Sequence, residues 1–176
     1  QLETILDRDL RELVQVRLSY RQIIEFVEAL SKQEGVPLSY TKILKETGVG
    51  GLQAKKIIAA LEAVFLIRLI KVEGGKKGWV FFFEDQAESL YFSKNRLDPL
   101  IYYTGFLYRN IRAEFEYSDQ AQYRFFHYLT KHNTRLPFCV EWGDLNLGFL
   151  PLRSGEPSHG ELMAAQSFLK KYAQSK

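Results

Sequence analysis

Six lysines in the first half of the chain have the spacing of a phosphate-binding surface. They fall in two helical patterns and in a glycine-rich turn between two strand patterns: Lys42, Lys45, Lys55, Lys56, Lys76 and Lys77. Ammonium groups neutralise backbone phosphates without reading the base sequence. We assign one further polar side chain, Gln53, to this predicted nucleic-acid surface. The helical pattern that carries Lys55 and Lys56 contains no arginine or asparagine for a bidentate contact to a base edge. DNA binding would therefore be directed at the backbone.

Other residue types that carry chemistry are interpreted as structural. His127, His132 and His159 have neither an i, i+4 partner nor a cysteine pair, so we interpret them as exposed or hydrogen-bonded histidines rather than metal ligands. Cys139 lies within a strand pattern and is interpreted as a buried thiol rather than a nucleophile. The chain contains no G-x-x-x-x-G-K-S/T loop, so a Walker motif for ATP is not predicted within it.

The composition excludes several classes of protein. Of 176 residues, 46% are hydrophobic and 14% aromatic, which excludes a disordered chain, a collagen-like fibre and a disulfide-rich miniprotein. A single cysteine and the lack of a signal peptide predict a cytoplasmic protein, and no apolar run reaches the ~18 residues of a membrane span. The net charge of +3 is small for strong counterion release. Because the chain begins at Gln1 and its one methionine is Met163, we expect a piece of a longer protein.

Local patterns predict a series of helices in the first half of the chain. Residues 2–13 place apolar side chains on one helical face. Ser19 and Gln22 form an S-x-x-Q capping box that predicts the start of a second helix. Ser39 is a predicted cap for a short helix over 41–47, which ends at a glycine-rich turn. These patterns predict three helices before the one that carries Gln53.

The helix that follows the glycine-rich turn is predicted to begin at Leu52. Its apolar spacing predicts these inward positions: Leu52, Ile57, Ile58, Leu61 and Phe65. Its predicted exposed face carries Gln53, Lys56, Ala60 and Ala63. Residues 66–73 and 79–85 then have strand patterns around the turn GGKKG, which predicts a β-hairpin. This order of elements is typical of a winged helix-turn-helix, with Lys76 and Lys77 at the tip of the wing.

The second half of the chain has an αβββα pattern. After a predicted connector over 86–99, a long aromatic helix is expected from about Asp98 to Tyr117. Strand patterns over 123–131, 134–142 and 145–152 precede a final helix over 161–174. The predicted fold class is therefore α+β, with a helical lead-in and winged helix over 1–93 and an αβββα domain over 94–176.

The order of these segments resembles a known family. The segments ETILDRDLRELV and LEAVFLIRLIKVEGGKKGWVFFFEDQAESLYF, with the αβββα half, are similar to the C-terminal region of prokaryotic AAA-type ATP-binding proteins over positions 1 to about 172. In that family a winged helix precedes a domain of unknown function with a PD-(D/E)xK restriction-endonuclease-like fold. The resemblance implies an ATPase module with its ATP and Mg²⁺ before Gln1, and no cofactor in this piece.

The resemblance also implies that the endonuclease-like half is inactive. Pro137 and Leu150 stand at the positions of the family's two acidic residues, and Leu152 stands at the position of its lysine. Two carboxylates are needed to hold the divalent cation, and the lysine offsets charge at the phosphate. Glu141 and Asp144 are close in sequence but lie at a strand end and in a turn. Pro137 also removes a backbone donor, which predicts an edge strand or a β-bulge there.

Three functions follow from these patterns. The leading hypothesis is a non-catalytic C-terminal module of an AAA-type ATPase that docks on a protein partner, on another copy or on nucleic acid and so regulates the ATPase. The second is a DNA-binding winged-helix module or regulator, and the third a metal-dependent nuclease. No membrane partner is predicted. The aromatic residues of the second half are expected in its core, with any exposed ones marking a docking surface: Tyr102, Tyr103, Phe106, Tyr108, Phe115, Phe125, Phe126 and Tyr128.

The nuclease hypothesis is tested by incubating the purified chain with supercoiled plasmid and Mg²⁺ or Mn²⁺. We expect no nicking or linearisation on an agarose gel, because proline and leucine supply no oxygen ligand for the cation. Metal-dependent cleavage that survives further purification would contradict the assignment of Pro137, Leu150 and Leu152 as inactive positions.

Overall fold

A computed structural model describes most of the chain. It covers residues 18–118, 122–153 and 155–173, together with three isolated positions, Thr4, Leu6 and Arg8. The predicted helix over 2–13 therefore lies outside the described residues, apart from those three positions. Leu6 is fully buried among the apolar residues of the first unit described below.

Six helices and five strands occur in the described residues. The helices are α1 Tyr20–Ser31, α2 Tyr40–Thr47, α3 Gly51–Ala63, α4 Gln86–Phe92, α5 Pro99–Tyr117 and α6 His159–Ala173. The strands are β1 Ile67–Gly74, β2 Gly78–Phe83, β3 Tyr123–Leu129, β4 Arg135–Trp142 and β5 Leu145–Phe149. The predicted α+β class is confirmed. The winged-helix and endonuclease-like folds stay predictions.

The helix starts follow from side-chain caps. Ser19 and Gln22 form the predicted capping box at α1, in which each side chain satisfies a backbone N–H. Ser39 caps α2, as expected, and Asp98 caps α5. The predicted connector over 86–99 was wrong, because it contains α4. Asp85 accepts a hydrogen bond from the Ala87 N–H at 2.7 Å and so provides the cap.

The predicted inward face of α3 was wrong at two of its positions. Leu52 is 75% exposed, since the buried positions 54, 57, 58 and 61 form the helical face and Leu52 lies off it. Phe65 is 71% exposed because α3 ends at Ala63 and Phe65 has a positive φ of 57°, so the helical spacing no longer applies. Ala60, predicted to be exposed, is buried.

The strands form one mixed sheet in the order β2-β1-β3-β4-β5. β1 pairs with β3 in parallel, with Lys71 opposite Phe126. β3 pairs with β4 and β4 with β5 in antiparallel register. At the end of the hairpin, Gly74 has a φ of 102°, and a Cβ there would lie 2.3 Å from the Leu129 carbonyl oxygen. Only glycine therefore fits where β1 meets the end of β3.

The chain divides into two compact units. The first comprises residues 1–34, 38–69 and 81–97, and the second comprises 35–37, 70–80 and 98–176. The tip of the predicted wing, residues 70–80, thus groups with the second unit. Among the described residues, none of the helices combines the length and the apolar character that a bilayer-spanning segment requires.

The first unit has an apolar core that encloses one carboxylate. The core contains Phe26, Ile57 and Phe83, among other fully buried side chains. Glu34 is 1% exposed within this unit. Its carboxylate accepts hydrogen bonds from the Phe83 N–H at 3.2 Å and from the Ser89 hydroxyl. Glu34 therefore stabilises the outer side of β2 and the middle of α4 together.

The second unit places a helix on each face of its strands. Neighbouring residues of a strand point to opposite faces. The Phe125 ring of β3 contacts Tyr108 of α5, and the next residue, Phe126, stacks on Phe168 of α6. The aromatic residues predicted for the core divide accordingly between the two faces. Two of those on α5, Tyr103 and Phe106, are exposed instead.

The role of Glu34 predicts a large loss of stability on its removal. Replacing Glu34 by Ala should lower the free energy of unfolding by about 2 to 4 kcal/mol, because two buried donors lose their acceptor. Urea unfolding measures this loss. Glu28→Ala is the matched control, since its ion pair with Lys94 is partly exposed and should cost less than about 1 kcal/mol. Equal losses in the two variants would contradict the role of Glu34.

Candidate functional site

Helices α2 and α3 are joined by a tight three-residue turn. Gly48 ends α2 with a φ of 70°, and its N–H donates to the Leu44 carbonyl oxygen at 2.9 Å. Val49 is buried in the first unit and anchors the turn. Gly50 precedes α3 and provides no side-chain cap. Gly48 adopts the left-handed backbone that ends α2. This permits the sharp change of direction between α2 and α3, the two helices that carry these lysines.

Four of the predicted nucleic-acid-binding lysines lie on this pair of helices. Lys42, Lys45, Lys55 and Lys56 are exposed, and none forms an ion pair within the described part of the chain. The Lys55 ammonium lies 5.6 Å from the centre of the Tyr40 ring. These four lysines are called the helical lysines below.

The acidic residues of the same segment are engaged elsewhere. Glu46 accepts from the Lys32 ammonium at 2.5 Å. Glu62 accepts from the Leu69 N–H at 3.0 Å. Neither carboxylate pairs with a helical lysine, so the helical lysines carry positive charge that their own segment does not neutralise. Gln53, the predicted polar neighbour, is half-buried in α3.

The other two predicted lysines lie in the second unit. Lys76 and Lys77 are exposed in the turn between β1 and β2. The Lys76 ammonium donates to the Asn133 side-chain oxygen at 2.7 Å, which ties this turn to the turn between β3 and β4. The six lysines of the predicted surface are thus divided between the units, four in the first and two in the second.

A cavity of about 350 Å³ lies in the second unit. Leu100 and Ile101 of α5 form part of an apolar wall, with Pro137 of β4 and Leu150 just after β5. Two of the three positions that the resemblance assigned to nuclease chemistry therefore come together in one cavity. Leu152 does not line this cavity and is partly exposed. At Pro137 and Leu150 the wall offers hydrocarbon rather than oxygen ligands.

The rest of the cavity lining is largely polar. It includes Arg135 and Glu161, together with Asn133, Thr134 and Ser158. Burial lowers the pKa of the Arg135 guanidinium. The Ser158 side chain and backbone lower the pKa of Glu161, whose carboxylate accepts from the Ser158 N–H at 2.7 Å. Glu161 therefore serves as the capping partner of α6.

Arg135 and Glu161 were not among the predicted site residues. The S-x-x-E spacing of Ser158 and Glu161 is a capping signal that marks the start of α6 in the sequence. The position of Arg135 beside the cavity depends on strand pairing, which has no local signal.

His127 lies at a bulge in the sheet. The register between β3 and β4 shifts between Phe126 and Tyr128. Of the two alternatives predicted at Pro137, the β-bulge is confirmed and the edge strand is wrong, because β4 pairs with a strand on each side. The His127 Nδ1–H donates to the Pro137 carbonyl oxygen at 2.8 Å, and the imidazole is fully buried. Burial lowers the pKa of His127 to about 4, and the charge of Arg135 acts in the same direction. His127 is therefore neutral at neutral pH.

The remaining predicted residues are placed as follows. Cys139 is buried, as expected, and burial raises its pKa. His132 and His159 are exposed. Glu141 binds Arg124 on the surface, whereas Asp144 is exposed in the turn between β4 and β5.

Burial of His127 predicts a pH dependence of stability. The histidine pKa is about 6.5 in an unfolded chain, and it is about 4 in the folded protein. Between these values only the unfolded state binds the proton, so the free energy of unfolding falls as the pH falls from about 6.5 to about 4, by up to about 3 kcal/mol. His127→Asn keeps a donor for the Pro137 carbonyl and should remove this loss.

Urea unfolding between pH 7 and pH 4.5 measures the effect. His132→Asn is the matched control, because the His132 side chain is exposed rather than buried. A His127→Asn variant with the pH dependence of the unmodified protein would contradict the interpretation.

Comparison with known proteins gives one match. Residues 1–73 match the family model of a domain of unknown function (DUF8612). The matched segment contains α1, α2 and α3 and therefore all four helical lysines. No curated protein matches the chain, and no solved structure does. The match covers less than half of the 176 residues and carries no described activity.

Proposed function

We propose that this chain is a non-catalytic docking module of an AAA-type ATPase, and that α2 and α3 form a helix-turn-helix that binds the backbone of duplex DNA. The observation that carries the proposal is the set of helical lysines, exposed and without a carboxylate partner in the described residues. Such ammonium groups gain binding free energy from the release of counterions condensed on DNA.

The start of α3 supports binding of phosphate. Gly50 contributes no side-chain cap, so the first N–H groups of α3 have no side-chain acceptor from that position. Nothing lies within 4 Å of where a Cβ would stand at Gly50 or Gly51. A phosphate oxygen can therefore approach the backbone there and benefit from the helix dipole. Lys55 and Lys56 follow within the next turn of the helix.

The side chains of α3 favour contacts that are independent of base sequence. Its exposed residues include Leu52, Lys55, Lys56 and Ala59. None of these has the planar amide or guanidinium group with which arginine, asparagine or glutamine distinguishes bases in the major groove, and Gln53, which has an amide, is half-buried. The proposal is therefore a module that holds an ATPase on duplex DNA and does not select a site.

The second unit supports a non-catalytic role. The cavity lining at Pro137 and Leu150 is apolar, and these are two of the positions where the resemblance implies that a nuclease would hold its cation. The exposed rings of Tyr103, Phe106 and Tyr117 lie along α5 and suit a protein contact.

Attachment to an ATPase rests on the family resemblance. The encoded sequence before Gln1 tests it directly, because a gene without a Walker motif there would remove the ATPase from the proposal. A stand-alone DNA-binding regulator would then be the alternative.

DNA binding is tested by fluorescence anisotropy with a labelled duplex of arbitrary sequence. We expect a dissociation constant of about 10⁻⁴ to 10⁻⁶ M at physiological salt. If all four helical lysines contact phosphates, the affinity should fall by roughly 150-fold between 50 and 200 mM salt, from a slope of about −3.6. The double variant Lys55→Gln with Lys56→Gln should weaken binding to every duplex and flatten the slope by about 2.

The matched control removes the same charge elsewhere. Lys131→Gln with Lys170→Gln neutralises two exposed lysines of the second unit and should leave the slope unchanged. A salt-independent response, no binding at low salt, or equal effects of the two double variants would each contradict the proposed interface.

A further inference from the structure

The cavity of the second unit is lined by two charged side chains of opposite sign. Arg135 begins β4, and Glu161 lies in the first turn of α6. The two do not pair with each other, and in the described part of the chain no carboxylate forms an ion pair with Arg135. Both are accessible, since Arg135 is exposed and Glu161 is half-buried. The cavity therefore offers a cation and an anion to a ligand.

Each charged group keeps hydrogen-bonding capacity for that ligand. The Glu161 carboxylate accepts the Ser158 N–H through Oε2 at 2.7 Å, and this capping bond fixes the side chain at the start of α6. Its second oxygen, Oε1, has no partner among the residues that the structure describes. Burial is the one effect that shifts the pKa of the Arg135 guanidinium, and no carboxylate opposes it. The five guanidinium donors of Arg135 thus await an acceptor.

The rest of the lining limits the size and the polarity of the ligand. Leu100, Ile101, Pro137 and Leu150 contribute hydrocarbon. The volume of about 350 Å³ is near the lower end of the roughly 300 to 1,000 Å³ that small-molecule sites occupy. A molecule of the size of an amino acid suits this space better than a nucleotide does.

We infer that this cavity binds a free α-amino acid with an apolar side chain. The carboxylate of the ligand pairs with Arg135, its ammonium group pairs with Glu161, and its side chain packs against the hydrocarbon of Leu150 and Ile101. An ion pair with Arg135 benefits from the planar guanidinium, which matches a carboxylate with two hydrogen bonds.

The two charges select a zwitterion over the other classes of small ligand. A purely anionic ligand would bring like charge close to Glu161, and a purely cationic one would do the same at Arg135. A neutral apolar ligand would cover both charged groups without pairing them, which costs free energy of desolvation. A free amino acid satisfies both groups at once.

The first experiment titrates the unmodified chain with small ligands by isothermal calorimetry. We expect saturable binding of L-leucine. N-acetyl-L-leucine lacks the ammonium charge and L-leucinamide lacks the carboxylate, so each should bind at least roughly tenfold more weakly. Glycine should also bind more weakly, because it buries no apolar side chain.

Three results of these titrations would overturn the inference. The first is no binding of leucine, isoleucine, methionine or phenylalanine at millimolar concentration. The second is equal affinity for leucine and its two derivatives, and the third is glycine bound as tightly as leucine.

A second experiment assigns the two charges to their residues. Arg135→Gln should weaken leucine binding by roughly tenfold and remove the difference between leucine and leucinamide. Glu161→Gln retains the capping box, because glutamine also suits that position, and should remove the difference between leucine and N-acetyl-leucine. Lys170→Gln is the matched control, since it removes an exposed charge of α6 outside the cavity and should change neither affinity.

A difference that persists in the matching variant would overturn the pairing assigned to that residue. Far-UV circular dichroism checks that each variant is folded, and the ligand series on the unmodified chain decides the inference if a variant is not. The titrations contain no nucleic acid, so their failure would not affect the proposed DNA interface.

Discussion

The parallel pairing of β1 with β3 is the constraint on which the second unit depends. It places Lys71 opposite Phe126 and continues to Gly74 opposite Leu129. A lone hairpin would present its turn freely to a ligand. Here the turn that carries Lys76 is held against Asn133. Residues 70–80 are part of the second unit, and the hairpin contributes two strands to the larger sheet.

The bulge at Pro137 shapes the cavity from the same sheet. Proline lacks the N–H that a regular strand would donate. The register shift accommodates this loss, and His127 donates to the Pro137 carbonyl oxygen instead. The His127 imidazole is therefore neutral and buried, and its hydrogen-bond partner Pro137 is one of the apolar residues that line the cavity. Pro137 therefore serves packing in this chain, and Leu150 lines the same cavity.

The proposed DNA surface consists of the helical lysines, whose charges are not paired with a carboxylate of the same segment. Glu46 binds Lys32 and Glu62 binds a backbone N–H, so neither neutralises the helical lysines. A net charge of +3 conceals this local excess. Surface charges act over about one Debye length, so their local distribution matters more than their sum. The helical lysines thus form a basic surface on the first unit, although the net charge of the chain is small.

The sequence by itself determined the features that depend on neighbours along the chain. The capping box at Ser19, the cap at Ser39, the hairpin strands and the bulge at Pro137 all have short-range causes and were predicted. The tertiary structure decided the rest. The pairing of β1 with β3, the burial of Glu34 and the exposure of Leu147 at a sheet edge each join or separate residues distant in sequence. No local pattern encodes them, because strand order is selected by the packing of the whole sheet.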